Sequence, residues 1–320
     1  MTLAPPVVLT LSCRLGAVLP AAAVRLLRDG VTLHADTDIP VALAQLCGAH
    51  PVGDAVQGLL LTLDPSTGAA ARWVTTGATV LATPEPAGAA LLDAVAVMDR
   101  LRSPGGCPWD AEQTHRSLMP YLIEEAYELY EALEDLEENN TAALREELGD
   151  VLLQVLFHAR VAQETPEGFD IDAVATGLVT KLVSRHPHVF AGGEQVRTAA
   201  EQEVRWEQLK RAEKRRESSM DGVALAQPAL SLAAKLVSRV TQAAFPADLL
   251  PSADGGTGGS LFALAAAAKL AGEDPEAALR RVARRFAQDV RAAERSARAA
   301  GLTAQALTPQ QWREHWRVSP

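Results

Sequence analysis

Four carboxylates stand in two pairs on one acidic stretch: Glu125 and Glu128, then Glu147 and Asp150. Each pair has the spacing E-x-x-[E/D], so on a helix its two members share a face. Residues 123–150 hold eleven acidic side chains and one basic one, Arg145. Like charges three or four residues apart cost an isolated helix about 0.2–0.5 kcal/mol per pair. Two unit charges 4 Å apart repel by about 4 kcal/mol at an effective dielectric of 20. Four converging carboxylates therefore either hold protons at raised pKa or share a divalent cation. Hard oxygen donors select Mg²⁺ or Mn²⁺ over zinc, and Mg²⁺ typically joins a few carboxylates to substrate phosphates. Glu131, Glu134, Asp135, Glu137 and Glu138 read as a solvated helix face. For the four paired acids, spacing alone leaves that reading and the metal cradle both open.

The elements that must position these acids are two amphipathic helices. Leu122, Ala126, Leu129, Leu133 and Leu136 recur at steps of four and three and predict one buried stripe. Leu144, Leu148, Val151 and Val155 predict a second. At about 100° per residue, Glu125 and Glu128 lie on the flank of the first stripe, and Glu147 and Asp150 hold the same offset on the second. The short turn "EENN" predicts an antiparallel hairpin that brings the pairs together.

Around this hairpin the chain reads as mainly α. Its 320 residues are 48% hydrophobic and only 4% aromatic, which favours helices, and are enough for two or three domains. The net charge of −10 excludes a sequence-independent grip on nucleic acid. Cys13, Cys47 and Cys107 form no CxxC, which argues against a disulfide framework or thiolate zinc and suits a reducing cytoplasm. The apolar start has no basic n-region and is interrupted by Pro5 and Pro6, so it predicts neither secretion nor a membrane span. "PPVVLTL", "GLLLTLD" and "ATVLATP" read as short strands and "AAAVRLLRDG" as a helix, a small α/β domain over 1–84. "PEPAG" is a linker by composition, and helices follow from residue 89 onward. "PSADGGTGGS", residues 251–260, reads as a flexible loop. The stretches "GDVLLQVLFHARVAQE" and "GGSLFALAAAAKLAGE" share spacing and apolar pattern, a sign of internal duplication.

"EEAYE" (124–128) followed by "ELGD" (147–150) resembles the EExxE…ExxD signature of MazG-type nucleoside triphosphate pyrophosphohydrolases. "GCPWDAEQTHRSL" upstream, and "KLVSRHPHVF" and "WEQLK" downstream, are similar to the same family in type and order. The resemblance covers about residues 91–214. It implies an all-α, dimeric fold and hydrolysis of a nucleoside triphosphate to monophosphate and pyrophosphate. It implies Glu125, Glu128, Glu147 and Asp150 as Mg²⁺ ligands, with Mn²⁺ as a substitute, and Glu124 as a residue that supports them or orients water.

Lys181 and Arg185, four apart on one helix face, would then meet triphosphate oxygens. Trp206 and Lys210 repeat that spacing, and the Trp206 indole would stack on a base. His186 and His188 read as structural or pocket-lining rather than as ligands, because Mg²⁺ prefers oxygen. Trp109 and Asp110 read as loop anchors, and Cys107 has no adjacent base for nucleophilic chemistry.

The resemblance divides the chain into a small α/β domain (1–84), a catalytic helical domain (89–217) and a second, degenerate MazG-like copy (218–320). In that second copy glycines of "GGTGGS" stand where the E-x-x-D acids would be, while "RRVARRFAQDV", Trp312 and Trp316 keep its character. Residues 1–84 are too short for a whole tetrapyrrole-methylase-like domain and show no Gly-rich cofactor loop. The chemistry implied is in-line attack of water on phosphorus, in the service of nucleotide-pool house-cleaning. A narrower substrate such as dUTP or a damaged nucleotide, and a non-catalytic Mg-nucleotide sensor, remain as alternatives.

Overall fold

The computed structural model describes residues 6–16, 18–54, 56–135, 141–192, 198–199, 201–202, 205–206 and 217–316. The chain forms two compact units, Met1–Ser184 and Arg185–Pro320. Among the described residues the architecture is thirteen α-helices and one small parallel sheet. The mainly α reading with a leading α/β layer therefore holds.

The first unit opens with five strands, β1 (Val7–Thr10), β2 (Leu33–Ala35), β3 (His50–Pro51), β4 (Leu59–Thr62) and β5 (Thr79–Ala82), in the order β3-β2-β4-β1-β5. All pairings are parallel. A parallel sheet is covered on both faces, so its central strands are continuous apolar runs, here Val7-Val8-Leu9 and Leu59-Leu60-Leu61. Helices α1 (Ala21–Arg28) and α2 (Val41–Leu46) cover one face, packing over Val7, Leu9, Leu33, Leu59 and Leu61. Helix α3 (Gly68–Thr75) covers the other, with Ala69, Ala70 and Trp73 against Val8 and Leu60.

Asp36, at the end of β2, holds the start of α3: its Oδ2 accepts from the Ala70 N–H at 2.7 Å. Gly68 must be glycine there. Its φ is +56°, and an added Cβ would lie 2.8 Å from Asp36 Oδ1. Gly68→Ala should lower stability by about 1–3 kcal/mol, read by urea unfolding of the full chain; an unchanged midpoint would refute this role.

The compositional linker at 84–88 is tied down. Glu85 accepts from Ser12 Oγ and pairs with Arg14, whose Nε donates to Asp93 Oδ2 at 2.7 Å. Asp93 lies in the first turn of α4 (Ala90–Arg102). After α4 come α5 (Pro108–Glu112), α6 (Met119–Glu134), α7 (Ala142–Ala162) and α8 (Ile171–Arg185), which reaches the boundary between units. The core here is Met98, Leu118, Leu156 and Phe157, with Val95, Leu152, Val161 and Ile171 around it.

Neither predicted apolar stripe is the buried one. Helix α6 has no buried residue, with Leu122 and Leu133 exposed and Leu129 half-buried; Leu136 lies outside the described residues. In α7 the packed side is Leu156, Phe157, Ala159 and Ala162, while Leu148 and Val155 are exposed. The segment "VLLQVLF" is apolar around most of the helix, so periodicity could not select the side that α4 covers.

In the second unit, α9 (Pro187–Phe190) precedes α10 (Ala229–Gln242), α11 (Gly256–Leu270), α12 (Pro275–Ala299) and α13 (Pro309–His315). Its core is built of small residues, Ala233, Ala234, Ala265, Ala266, Ala293 and Ala297, with Val237. The Asp274 side chain caps α12, and Thr308 and Gln311 form a capping box on α13. The glycine run expected as a loop is helical from Gly256 onward, after a 3₁₀ turn at Ala253–Gly255.

Candidate active site

Helices α6 and α7 pack as the acidic spacing predicts. Glu128 meets Glu147 at one end of the pair, and His115, just before α6, meets His158 of α7 at the other, so the helices run antiparallel. Carboxylate oxygens of Glu125, Glu128 and Glu147 lie within 4.8 Å of one another. Among the described residues this is the one group of three metal-type donors. Asp150 stands outside the tight triad but close enough to raise the pKa of both Glu125 and Glu147. Glu124 is exposed and adds to the negative field on Glu125.

Electrostatics show what the cluster lacks. Burial, then Asp150 and Glu128, pushes the Glu125 carboxyl above its ordinary value. A hydrogen bond that the protonated Glu125 carboxyl donates to Glu128 acts in the same direction. Burial, then Glu128, Asp150 and Glu146, raises Glu147. Glu147 Oε2 is closed off from solvent and has no hydrogen-bond partner among the described residues. Three hard oxygens at this separation, one of them orphaned, fit a divalent cation of the Mg²⁺ type.

The other sequence-predicted residues divide between the units. Lys181 is exposed on α8 in the first unit. Arg185, at the end of α8, is buried in the second unit with its guanidinium 5.0 Å over the Trp206 ring. His186 lies 5.2 Å from that ring and 5.7 Å from His188. Trp206, read from the sequence as a base-stacking surface, thus already carries a cation and an imidazole. Lys210 lies outside the described residues. Trp109 is half-exposed and packs edge-on against Tyr121 and Phe157.

The structure adds residues that the sequence reading passed over. Arg102 reaches Glu164 with Nε and Nη2 at 2.9 and 2.8 Å. It also donates to the backbone carbonyls of Asp110 and Gln113, fastening the "GCPWD" segment to the end of α7. Its one signal was an arginine in an apolar helix, with a partner 62 residues away. Glu147, Gln154 and His158 lie on one face of α7, and Gln154 Oε1 and His158 Nε2 are also enclosed without partners. The rings of His115 and His158 stack with Nδ1 atoms 2.8 Å apart; burial, then His115, holds His158 below the ordinary histidine value.

Residues 113–190, which include the whole cluster, match the MazG nucleotide pyrophosphohydrolase domain, and residues 6–81 match the MazG N-terminal domain. The α/β layer left unassigned by the sequence is thus a module that the family itself defines. A protein of Mycolicibacterium smegmatis named nucleoside triphosphate pyrophosphohydrolase is 39% identical over 97% of this chain and 95% of its own length. One of the same name from Mycobacterium tuberculosis is 38% identical over 93% and 91%. A nucleoside triphosphate pyrophosphohydrolase/pyrophosphatase of Thermotoga maritima is 36% identical over 72% of this chain and 95% of its own. The two mycobacterial matches span both the acidic hairpin and the sheet that precedes it, and the chain belongs to the MazG family of nucleoside triphosphate pyrophosphohydrolases.

Proposed function

We propose that this protein is a Mg²⁺-dependent hydrolase that converts a nucleoside triphosphate and water to the monophosphate and pyrophosphate. The observation that carries the reading is the triad of Glu125, Glu128 and Glu147 with its unpartnered Oε2. These three and Asp150 would hold the cation, with Mn²⁺ as a substitute. Bound there, a divalent ion neutralises triphosphate charge and lowers the pKa of water.

The chain's own residues do the rest. Glu125, Glu128, Glu147 and Asp150 would hold the cation in place against the triphosphate, and Glu124 adds to the negative field around Glu125 that would orient water. Lys181 and Arg185 would be the basic residues that meet triphosphate oxygens, as the family resemblance implies. Lys210 belongs to the same basic set by its spacing from Trp206. Such activity serves a soluble, cytoplasmic nucleotide-pool role; no helix among the described residues is long and apolar enough to cross a membrane.

The experiment is product analysis across ribo- and deoxyribonucleoside triphosphates with and without Mg²⁺. Monophosphate plus pyrophosphate, formed only with metal, is the expected result and ranks the bases, dUTP included. Nucleotide binding without product across the panel would reject hydrolysis in favour of a sensor.

The working form is a homodimer. Ile123 and Tyr127 on α6 and Leu178, Val179 and Val183 on α8 are exposed in the single chain. Large apolar side chains left exposed on helices in this way favour an interface with a second copy. Val179→Glu should halve the mass measured by light scattering; an unchanged mass would exclude α8 from the interface. The C-terminal helices are read as a non-catalytic half because the glycines of "GGTGGS" stand where the E-x-x-D acids would be.

A further inference from the structure

Helix α6 carries Glu125 and Glu128, yet it buries none of its own residues. Its placement on α7 therefore leans on the residues just before it. Leu118, next to the first turn, is 1% exposed and shares a core with Leu156 and Phe157 of α7. Three residues earlier, His115 meets His158 of α7. The two imidazole planes are 11° apart, with centroids 5.1 Å and Nδ1 atoms 2.8 Å from one another. The difference between these distances is the sum of two ring radii, so each Nδ1 lies on the line between the centroids. The rings thus meet nitrogen to nitrogen in a common plane. That is the geometry of a straight hydrogen bond, and it admits one proton, because two bare nitrogens or two N–H groups at this separation repel. Lone pairs aimed at each other do not converge on a third point, so the two nitrogens are not a pair of metal ligands.

The enclosed side of His158 decides which ring donates. Its Nε2 is closed off from solvent and has no partner among the described residues. An orphaned N–H in such a place costs more than an orphaned lone pair. Nε2 therefore stays bare, and the His158 Nδ1–H donates to His115 Nδ1. His115 is exposed, and the proton on its own Nε2 meets water. An added proton has no good place in this arrangement. On His115 it occupies the accepting Nδ1, and the bond survives only if His158 moves its proton to the enclosed Nε2. On His158 it goes directly to that nitrogen.

The charged groups on the packed helices do not offset this. Asp99 and Arg102 of α4 are paired with Arg160 and Glu164. Arg116 adjoins His115 in sequence, and the carboxylates of the cluster gather at the far end of the hairpin. Of the charged groups among the described residues, His115 alone acts on His158, which burial and that neighbour hold below the ordinary histidine value.

We propose that His115 and His158 are positioning residues of the acidic site, joined by one shared proton: the bond fixes the start of α6 on α7 while the pair is neutral, and is lost when His115 takes up a proton. This role rests on the reading of Glu125, Glu128, Glu147 and Asp150 as a cation site. Losing the bond frees the N-terminal end of α6 and loosens the register in which Glu125 and Glu128 face Glu147.

Two measurements on the full chain test it. In metal-free buffer, nitrogen NMR of protein labelled at histidine, assigned with His115→Asn and His158→Gln, reports which ring nitrogens hold protons. At mildly alkaline pH His158 should be protonated on Nδ1 and bare on Nε2, and His115 the reverse. On acidification His115 should become doubly protonated while His158 stays neutral. The same tautomer on both rings, a bond donated by His115, or His158 charging first overturns the proposal. Mn²⁺ affinity, measured by calorimetry across the same pH range, tests the positioning. His115→Leu should weaken Mn²⁺ binding about three- to tenfold at mildly alkaline pH. His115→Asn puts a carboxamide oxygen where Nδ1 stood. It should keep wild-type affinity and lose the fall in affinity that wild type shows as pH drops through the histidine range, a change that a role in packing alone would not produce. Equal affinity of His115→Leu and wild type overturns the proposal, as does an Asn variant that is as weak as Leu or keeps the wild-type pH profile. Absence of Mn²⁺ binding by wild type at any pH rejects the cation site itself, a result distinct from binding that ignores His115.

Discussion

Glu147→Gln should abolish turnover, by about a thousandfold or more, and at the same time leave the metal-free protein at least as stable as wild type. The two halves of this expectation have one cause. Glu147 has an enclosed oxygen without a partner and a carboxyl pushed upward by burial and by Glu128 and Asp150. Its folded-state pKa lies above that of the unfolded chain, so between the two values the folded state binds more protons. Stability therefore falls as pH rises through that window, and the loss persists above it. Glu125, raised by burial and by the same neighbours, acts in the same direction. Glutamine imitates the protonated form at every pH. In EDTA at neutral pH the variant should melt at or above wild type, and acidifying towards the ordinary carboxylate range should close the gap. Added Mg²⁺ should stabilise wild type and not the variant. A variant that still turns over substrate, or that melts lower than wild type in EDTA, would reject the metal cradle.

Arg102→Met should cost about 3 kcal/mol, the largest single loss expected away from the acidic hairpin. The guanidinium is buried and holds three sites together: Glu164 at the end of α7 and the carbonyls of Asp110 and Gln113. Methionine keeps the apolar contact with Phe157 and removes every donor. The Glu164 carboxyl is held below its ordinary value, first by its hydrogen bond from Arg102. That contribution is complete above the unfolded-state value and disappears as pH falls through the lower folded-state one. The difference between variant and wild type in urea should accordingly shrink in acid. Because α6 and α7 keep the carboxylates on their own backbone, kcat per folded molecule should stay near wild type at low temperature. Equal urea midpoints at neutral pH would show that Arg102 does not fasten the loop.

The acidic site was legible because one-turn spacing is a property of the helix itself. Glu125 and Glu128 needed no tertiary information to share a face, and a short turn left the second pair few places to go. The burial of α6 was not legible. Leu122 and Leu133 show that a helix has an apolar side without saying whether the same chain covers it. The Arg102–Glu164 pair joins residues 62 positions apart, and neither residue has a local pattern that names the other. Glycines 256, 258 and 259 suggested flexibility by composition, yet a helix can begin on glycine when neighbouring helices pack along it. Trp206 was legible as an aromatic near basic residues. That its ring would face Arg185 depends on where two separate segments meet.

The clasp at Glu85 bears on how this chain can be divided. By composition the junction at 84–88 invites a cut, as though the sheet and the helices were interchangeable cassettes. Ser12 and Arg14 come from one side of that cut, Asp93 from the other, and Glu85 sits in the junction itself, bonded to both Ser12 and Arg14. A truncation there would strand Arg14 without either carboxylate and leave Asp93 without its cation. The sheet is better regarded as latched to the first turn of α4, and shuffling it between relatives would require carrying Ser12, Arg14, Glu85 and Asp93 as one heritable block.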